Sequence, residues 1–114
     1  MEFALTAAPP VSVLSVAVTT NKTTYTLGET VYITVTVTEN GASGPAVPGA
    51  AVHCQITTAT GRKYASDRTT DATGVAKFSF KPKRLDGKGT YSVTADASKS
   101  GYAPGSGSVT FVVN

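Results

Sequence analysis

The strongest constraint in this chain is an alternation of side-chain character with a period of two. From Glu29 to Thr38, Val31, Ile33, Val35 and Val37 share one parity, and Tyr32, Thr34, Thr36 and Thr38 share the other. Successive side chains of an extended strand point to opposite faces, so the segment predicts a strand with one buried face and one wet face. The pattern recurs in Val52, Cys54 and Ile56 against His53, Gln55 and Thr57, and in Ala76, Phe78 and Phe80 against Lys77 and Ser79. Tyr91, Val93, Ala95 and Ala97 alternate with Ser92, Thr94 and Asp96. Val11 to Thr20 opens the series, Lys63 to Thr69 adds a weaker strand, and Ser108 to Val113 closes it with Val109, Phe111 and Val113 on one face. About seven strands are predicted, and helical periodicity is almost absent.

Turn chemistry separates these runs at short intervals. Leu27-Gly28, Asn40-Gly41, Gly44-Pro45, Pro48-Gly49, Thr60-Gly61, Asp71-Ala72-Thr73-Gly74, Asp86-Gly87 and Pro104-Gly105 each offer a residue that tolerates positive φ or fixes φ where the chain must reverse. No interval is left for the crossover helix of about a dozen residues that a parallel sheet needs. Thr, Val, Gly and Ser make up nearly half of the sequence, and β-branched residues pack better on a pleated sheet than in a helix. The predicted fold is all-β, an immunoglobulin-like two-sheet antiparallel β-sandwich. A single Cys and the absence of Trp rule out the inter-sheet disulfide and buried Trp of antibody domains, so apolar packing alone must join the sheets. Phe78, Phe80, Tyr91 and Phe111 are the expected large core pieces.

The 114 residues suffice for one domain, expected over residues 11–114. Met1-Glu2-Phe3 and the small residues that follow, 1–10, read as a cloning-derived or linker segment without the charged and apolar regions of a signal peptide. No run approaches the roughly 18 apolar residues of a membrane span, so no membrane insertion is expected. The net charge of +3 comes from ten Lys and Arg scattered over residues 22–99, too dilute in sequence for a nucleic-acid partner.

Residues capable of chemistry do not assemble on paper. His53 and Cys54 are strand neighbours and point to opposite faces, so they cannot form a thiolate–imidazole dyad. Cys54 shares its parity with Val52 and Ile56 and reads as an inert core thiol, and His53 as a solvated side chain on the other face. Asp71 in its four-residue turn reads as an acceptor for nearby backbone N–H groups rather than a calcium ligand, because hard cations need six or more oxygens. Gly105-Ser106-Gly107-Ser108 precedes a strand, not a helix, and reads as a flexible turn rather than a phosphate loop. No catalytic, cofactor-binding or metal site is therefore expected. The candidate ligand contacts are Lys81, Lys83 and Arg84, the densest charge, and Tyr32, an aromatic ring among threonines. The loop carrying the cations reads mainly as a solvated connection whose charges discourage edge pairing. Tyr64 and Tyr102 also lie outside the expected core.

Several segments carry a resemblance. Tyr25-Thr-Leu-Gly-Glu-Thr-Val-Tyr-Ile-Thr-Val-Thr-Val-Thr-Glu-Asn-Gly41, Pro48-Gly-Ala-Ala-Val52, Thr70-Asp-Ala-Thr-Gly-Val-Ala-Lys-Phe78, Gly89-Thr-Tyr-Ser-Val-Thr-Ala95 and the closing Val-Thr-Phe-Val-Val113 resemble the bacterial immunoglobulin-like repeats of invasin- and intimin-type surface proteins. The N-terminal modules of macroglobulin-like proteins are similar in cadence. The resemblance implies a secreted or cell-surface module of microbial origin, strung in series with neighbouring domains as a spacer, stalk or adhesion domain, with a cell-surface protein or polysaccharide as a further partner. The thioester motif of macroglobulins is absent. From another class, a carbohydrate-binding or substrate-targeting accessory module of a secreted hydrolase is the alternative, with Tyr32 as its stacking platform.

Overall fold

The structure, a computed structural model, describes residues 12–41 and 43–114; the expected linker at 1–10 lies outside the described residues. Its strands are β1 (Ser12–Thr20), β2 (Thr24–Tyr25), β3 (Val31–Glu39), β4 (Ala51–Thr57), β5 (Lys63–Thr69), β6 (Val75–Phe80), β7 (Gly89–Ser98), β8 (Tyr102–Ala103) and β9 (Gly105–Val113). The seven long strands coincide with the seven alternating segments. One sheet has the order β6-β3-β1-β8 and the other β2-β9-β7-β4-β5, so the fold is the expected immunoglobulin-like sandwich. Every pairing between long strands is antiparallel.

The side chains of predicted inward parity form the core. Val31, Ile33, Val35 and Val37 are each exposed by 1 % or less, as are Val52, Val93, Ala95, Phe111 and Val113. Burial of each large apolar side chain contributes about 1.5–3 kcal/mol, which must outweigh the entropy lost in ordering it. Tyr25 joins this core unexpectedly. Its ring packs edge-on to Phe111 with centroids 5.3 Å apart, and Phe111 stacks on Tyr91 at 5.2 Å. Its hydroxyl donates to Asn21 Oδ1 at 2.6 Å and accepts from the Lys22 N–H at 2.8 Å, so a polar tip is satisfied at the core's margin. Phe80, expected as a core piece, is only partly buried, because it ends a strand at the sheet edge.

The sandwich has two unlike sides. On one, the chain changes sheet twice: β1 in the first sheet leads to β2 in the second, and β8 in the first leads to β9 in the second. Short parallel pairings, Ser12 and Val13 with Tyr102 and Ala103, then Thr24 and Tyr25 with Val112 and Val113, tie these segments together at both ends. Two residues cannot display an alternation, which is why β2 and β8 escape a reading by period. Between the ties, β9 lies so close to β1 that a Cβ on Gly105 would sit 1.9 Å from the Leu14 carbonyl oxygen, and one on Gly107 2.4 Å from that of Val16. The segment Gly105 to Ser108 is thus regular strand paired with β7, not the expected flexible turn. Its glycines serve close backbone approach rather than bending.

On the other side β5 and β6 edge their sheets without pairing to each other. Between them opens a cleft of about 180 Å³ lined by Cys54, Ile56, Tyr64, Ser66, Phe78 and Phe80, among others. Asp71 to Gly74 bridges the two strands at one end of this cleft. Asp71 Oδ1 accepts from the Thr73 N–H at 2.8 Å, the Val75 N–H at 3.1 Å and the Thr73 hydroxyl at 2.6 Å. Gly74 has φ +76°. The turn therefore has the structural role expected for it.

Candidate functional site

Backbone register defines two poles. Ser12, Glu39, Ser98 and Gly105 mark the N-terminal pole, and Thr20, Val31, Lys63, Phe80, Gly89 and Val113 the C-terminal one. The loop carrying the predicted ligand contacts Lys81, Lys83 and Arg84 caps the C-terminal pole. It is not merely a solvated connection. Arg84–Asp86 forms one 3₁₀ turn, and the Asp86 side chain beneath it is fully buried. Asp86 Oδ2 accepts from the Lys83 N–H at 2.9 Å, and Oδ1 accepts from the Tyr64 hydroxyl at 2.6 Å, with Arg62 Nε 3.5 Å away. A buried carboxylate is tolerated only when paired and hydrogen-bonded, and here both conditions are met. Burial, with the Asp86 carboxylate as a secondary cause, raises the Tyr91 phenol above its ordinary range.

This buried anchor was not visible in the sequence, where Asp86-Gly87 reads as one more turn. Its effect is to hold Lys83, Arg84 and Leu85 outward on a fixed turn. Leu85 is 70 % exposed, the most exposed of the large apolar side chains among the described residues. Lys22, Arg62 and Lys63 fall at the same pole from other segments, joining Lys81, Lys83, Arg84 and Lys88. Seven of the ten cations, scattered in sequence, are gathered at one end. Among the described residues, Glu29, ion-paired to Lys22, and the buried Asp86 are the acids there. The rest of the described molecule holds Glu39, Asp67, Asp71 and Asp96 against Arg68, Lys77 and Lys99.

Tyr32, the fourth predicted contact, stands away from this loop on the outer face of β3, 57 % exposed and opposite Ser79. Tyr64 and Tyr102, expected outside the core, are half-buried. Tyr64 packs on Phe80 at 5.2 Å, and the Tyr102 hydroxyl donates to Glu39 at 3.2 Å. His53 and Cys54 point to opposite faces as expected. Cys54 is 2 % exposed, and burial pushes its thiol up to about 11, so the thiolate nucleophile is scarce near neutrality. His53 Nδ1 bonds to Asp67 Oδ1 at 2.6 Å across β4 and β5, and Asp96 lies opposite His53 on β7. These three side chains, with Ala51, Val52, Ala97, Ser98 and Pro104, line an open depression of about 310 Å³. Among the described residues, no three His, Cys, Asp or Glu side chains are placed to hold a metal ion.

At the C-terminal pole the Tyr91 hydroxyl, near the start of β7, donates to the Gly87 carbonyl at 2.5 Å four residues upstream. This tyrosine corner, in a two-sheet sandwich whose first and last strands switch sheets, marks an immunoglobulin-like module. The MG2 domain family matches residues 15–113, and the chain belongs to that macroglobulin-like family. Among solved structures, it is similar to the "D00-D0 domain of Intimin", with 23% identity, a TM-score of 0.59, and coverage of 94% of this chain and 50% of that one. It is also similar to Spo0M, a sporulation control protein from Bacillus subtilis, with 17% identity, a TM-score of 0.54, and coverage of 90% and 49%. The chain thus spans about half the length of these structures, and at such identities the likeness is one of fold. No curated protein matches the sequence.

Proposed function

We propose that this MG2 domain is a noncatalytic module of a secreted or cell-surface protein, acting as a spacer or stalk and offering its loops for adhesion. The observation that carries the reading is how the first and last strands run. β1 starts beside Tyr102 at the N-terminal pole, and β9 ends beside Tyr25 at the opposite one. The two strands run in the same direction, and nine residues at about 3.3 Å each give a strut of about 30 Å. A module traversed from pole to pole separates whatever precedes it from whatever follows. Its proposed partners are neighbouring domains of the same polypeptide. The limits 11–114 belong to the proposal and are supported by the family match over 15–113. An extracellular setting is supported by the invasin- and intimin-type cadence of the sequence. Among the described residues no helix is long and apolar enough to cross a membrane.

Pulling the two ends apart loads the β1/β9 side in shear, because adjacent parallel strands are drawn in opposite directions. Single-molecule stretching through terminal handles is expected to show one rupture that releases the whole folded length. Strand-by-strand peeling at low force would contradict the strut.

The exposed ring of Tyr32 supports a second reading, a carbohydrate-binding or substrate-targeting accessory module of a secreted hydrolase. Sugar rings stack on exposed aromatic faces, and Tyr32 lies on an open, threonine-lined sheet face. A glycan array at low and high salt tests this: retention that survives salt and is lost in Tyr32→Ala supports it, and no retention dismisses it.

A further inference from the structure

We infer that the C-terminal pole of one copy docks on the N-terminal half of a second copy, Leu85, Lys83 and Arg84 entering the depression bounded by Asp67 and Asp96. The inference does not rest on the strut reading, since a domain can space its neighbours without binding its own kind.

Three observations meet here. First, Leu85 is held out to solvent at 70 % exposure between cations, on a turn fixed from beneath by buried Asp86. An apolar side chain presented on a rigid turn loses little conformational freedom on binding, which favours an anchor role. Second, the depression on the outer face of β4, β5 and β7 has exposed apolar side chains from Ala51 and Pro104, and carries Asp67 and Asp96. Among the described residues Asp96 makes no ion pair, and Asp67 is 79 % exposed at its side chain although bonded to His53. Third, the charges are complementary along the molecule. Seven cations concentrate at one end, four acids with only Arg68, Lys77 and Lys99 lie in the rest, and the net charge of +3 conceals this dipole. Complementary patches steer partners into register and suppress like-charged encounters.

The contact is heterologous, because the two surfaces differ. Copies that meet this way add on without closing into a dimer. An anionic polysaccharide would satisfy Lys81, Lys83 and Arg84 but would leave Leu85 without a partner. The second copy is therefore the better fit.

Sedimentation velocity of the chain, from micromolar to millimolar concentration, tests the inference. The wild type is expected to grow in mean mass beyond a dimer as concentration rises, and to lose that growth in high salt as the charges are screened. A C-terminal-pole variant, Lys83→Ser with Arg84→Ser and Leu85→Ser, and an N-terminal-half variant, Asp67→Lys with Asp96→Lys, should each remain monomeric. Both alter exposed side chains, and unchanged thermal unfolding confirms their folds. Their equimolar mixture retains one intact pair of surfaces and should form dimers that grow no further. A wild type that stays monomeric at millimolar concentration overturns the inference, as does association that both variants retain. A monomeric wild type held on dextran sulfate through Lys83 and Arg84 would instead assign the pole to a polyanion, and equally overturns it.

Discussion

The two sides of the sandwich solve one problem in opposite ways. Where β1 meets β9, removal of side chains joins the sheets: Gly105 and Gly107 let backbone touch backbone, and sheet-switching strands lock both ends. Where β5 meets β6, the layers are held by large side chains, Tyr64 tilted on Phe80 and Phe80 near Tyr91 at 6.2 Å, and a cleft remains. The first side has no slack, so added volume must displace main chain. The second has room, so added volume can fill it. A chain stretched through its termini needs the rigid arrangement where β1 and β9 run together, and tolerates the loose one at the far edge.

The largest expected effect comes from adding volume to the rigid side. Gly107→Val places a Cβ against the Val16 carbonyl oxygen, and overpacking against backbone should cost about 3 kcal/mol and lower Tm by more than about 10 °C. Thermal unfolding followed by circular dichroism measures it, and an unchanged Tm would mean that the two sides do not differ as described. Next is the anchor that ties the loose side to the C-terminal pole. Asp86→Ala leaves the Tyr64 hydroxyl and the Lys83 N–H without their acceptor, a loss of about 2–3 kcal/mol in denaturant unfolding. Arg62→Ala, which removes a half-exposed and solvent-screened partner, should cost clearly less than Asp86→Ala in the same measurement.

Volume added to the loose side should act with the opposite sign. Ser66→Val directs methyl groups into the cleft against Cys54 and Phe78 and should stabilise by about 0.5–1 kcal/mol. Cys54 reports on the same cleft: with its thiol near 11 rather than 9.0, alkylation near pH 8 should be about 100-fold slower than for an unshifted thiol, and slower again in Ser66→Val. The smallest effect is acid loosening of the β5–β6 turn. The Thr73 hydroxyl, followed by the Val75 N–H, holds the Asp71 carboxyl below its ordinary 3.8. A carboxyl with a lowered folded-state pKa contributes stability above its unfolded value, and that contribution fades as pH falls through the folded one. Amide exchange in β5 and β6 should therefore accelerate below about pH 4 before exchange in β1 and β9 does, and Asp71→Asn should flatten the difference.

How much of this was legible in the sequence follows from the range of the interactions. Alternation is a local property, fixed by the geometry of each extended residue, so Val31 to Val37 and Tyr91 to Ala97 declared their buried faces without reference to partners. The opposed directions of His53 and Cys54 and the self-contained bonding of Asp71 were readable for the same reason. Tyr25 was not, because one residue of a two-residue strand has no pattern, and only Phe111, 86 positions away in sequence, makes it core. Asp86 looked like any turn aspartate until Tyr64 arrived from another strand.

By itself, then, the order of residues determined the strands, their buried faces and the immunoglobulin-like class. Tertiary structure alone decided which glycines lie against main chain, which carboxylate is buried, and that scattered lysines and arginines share one pole. The first set depends on parity between neighbours, whereas the second depends on distances between residues that chain folding brings together.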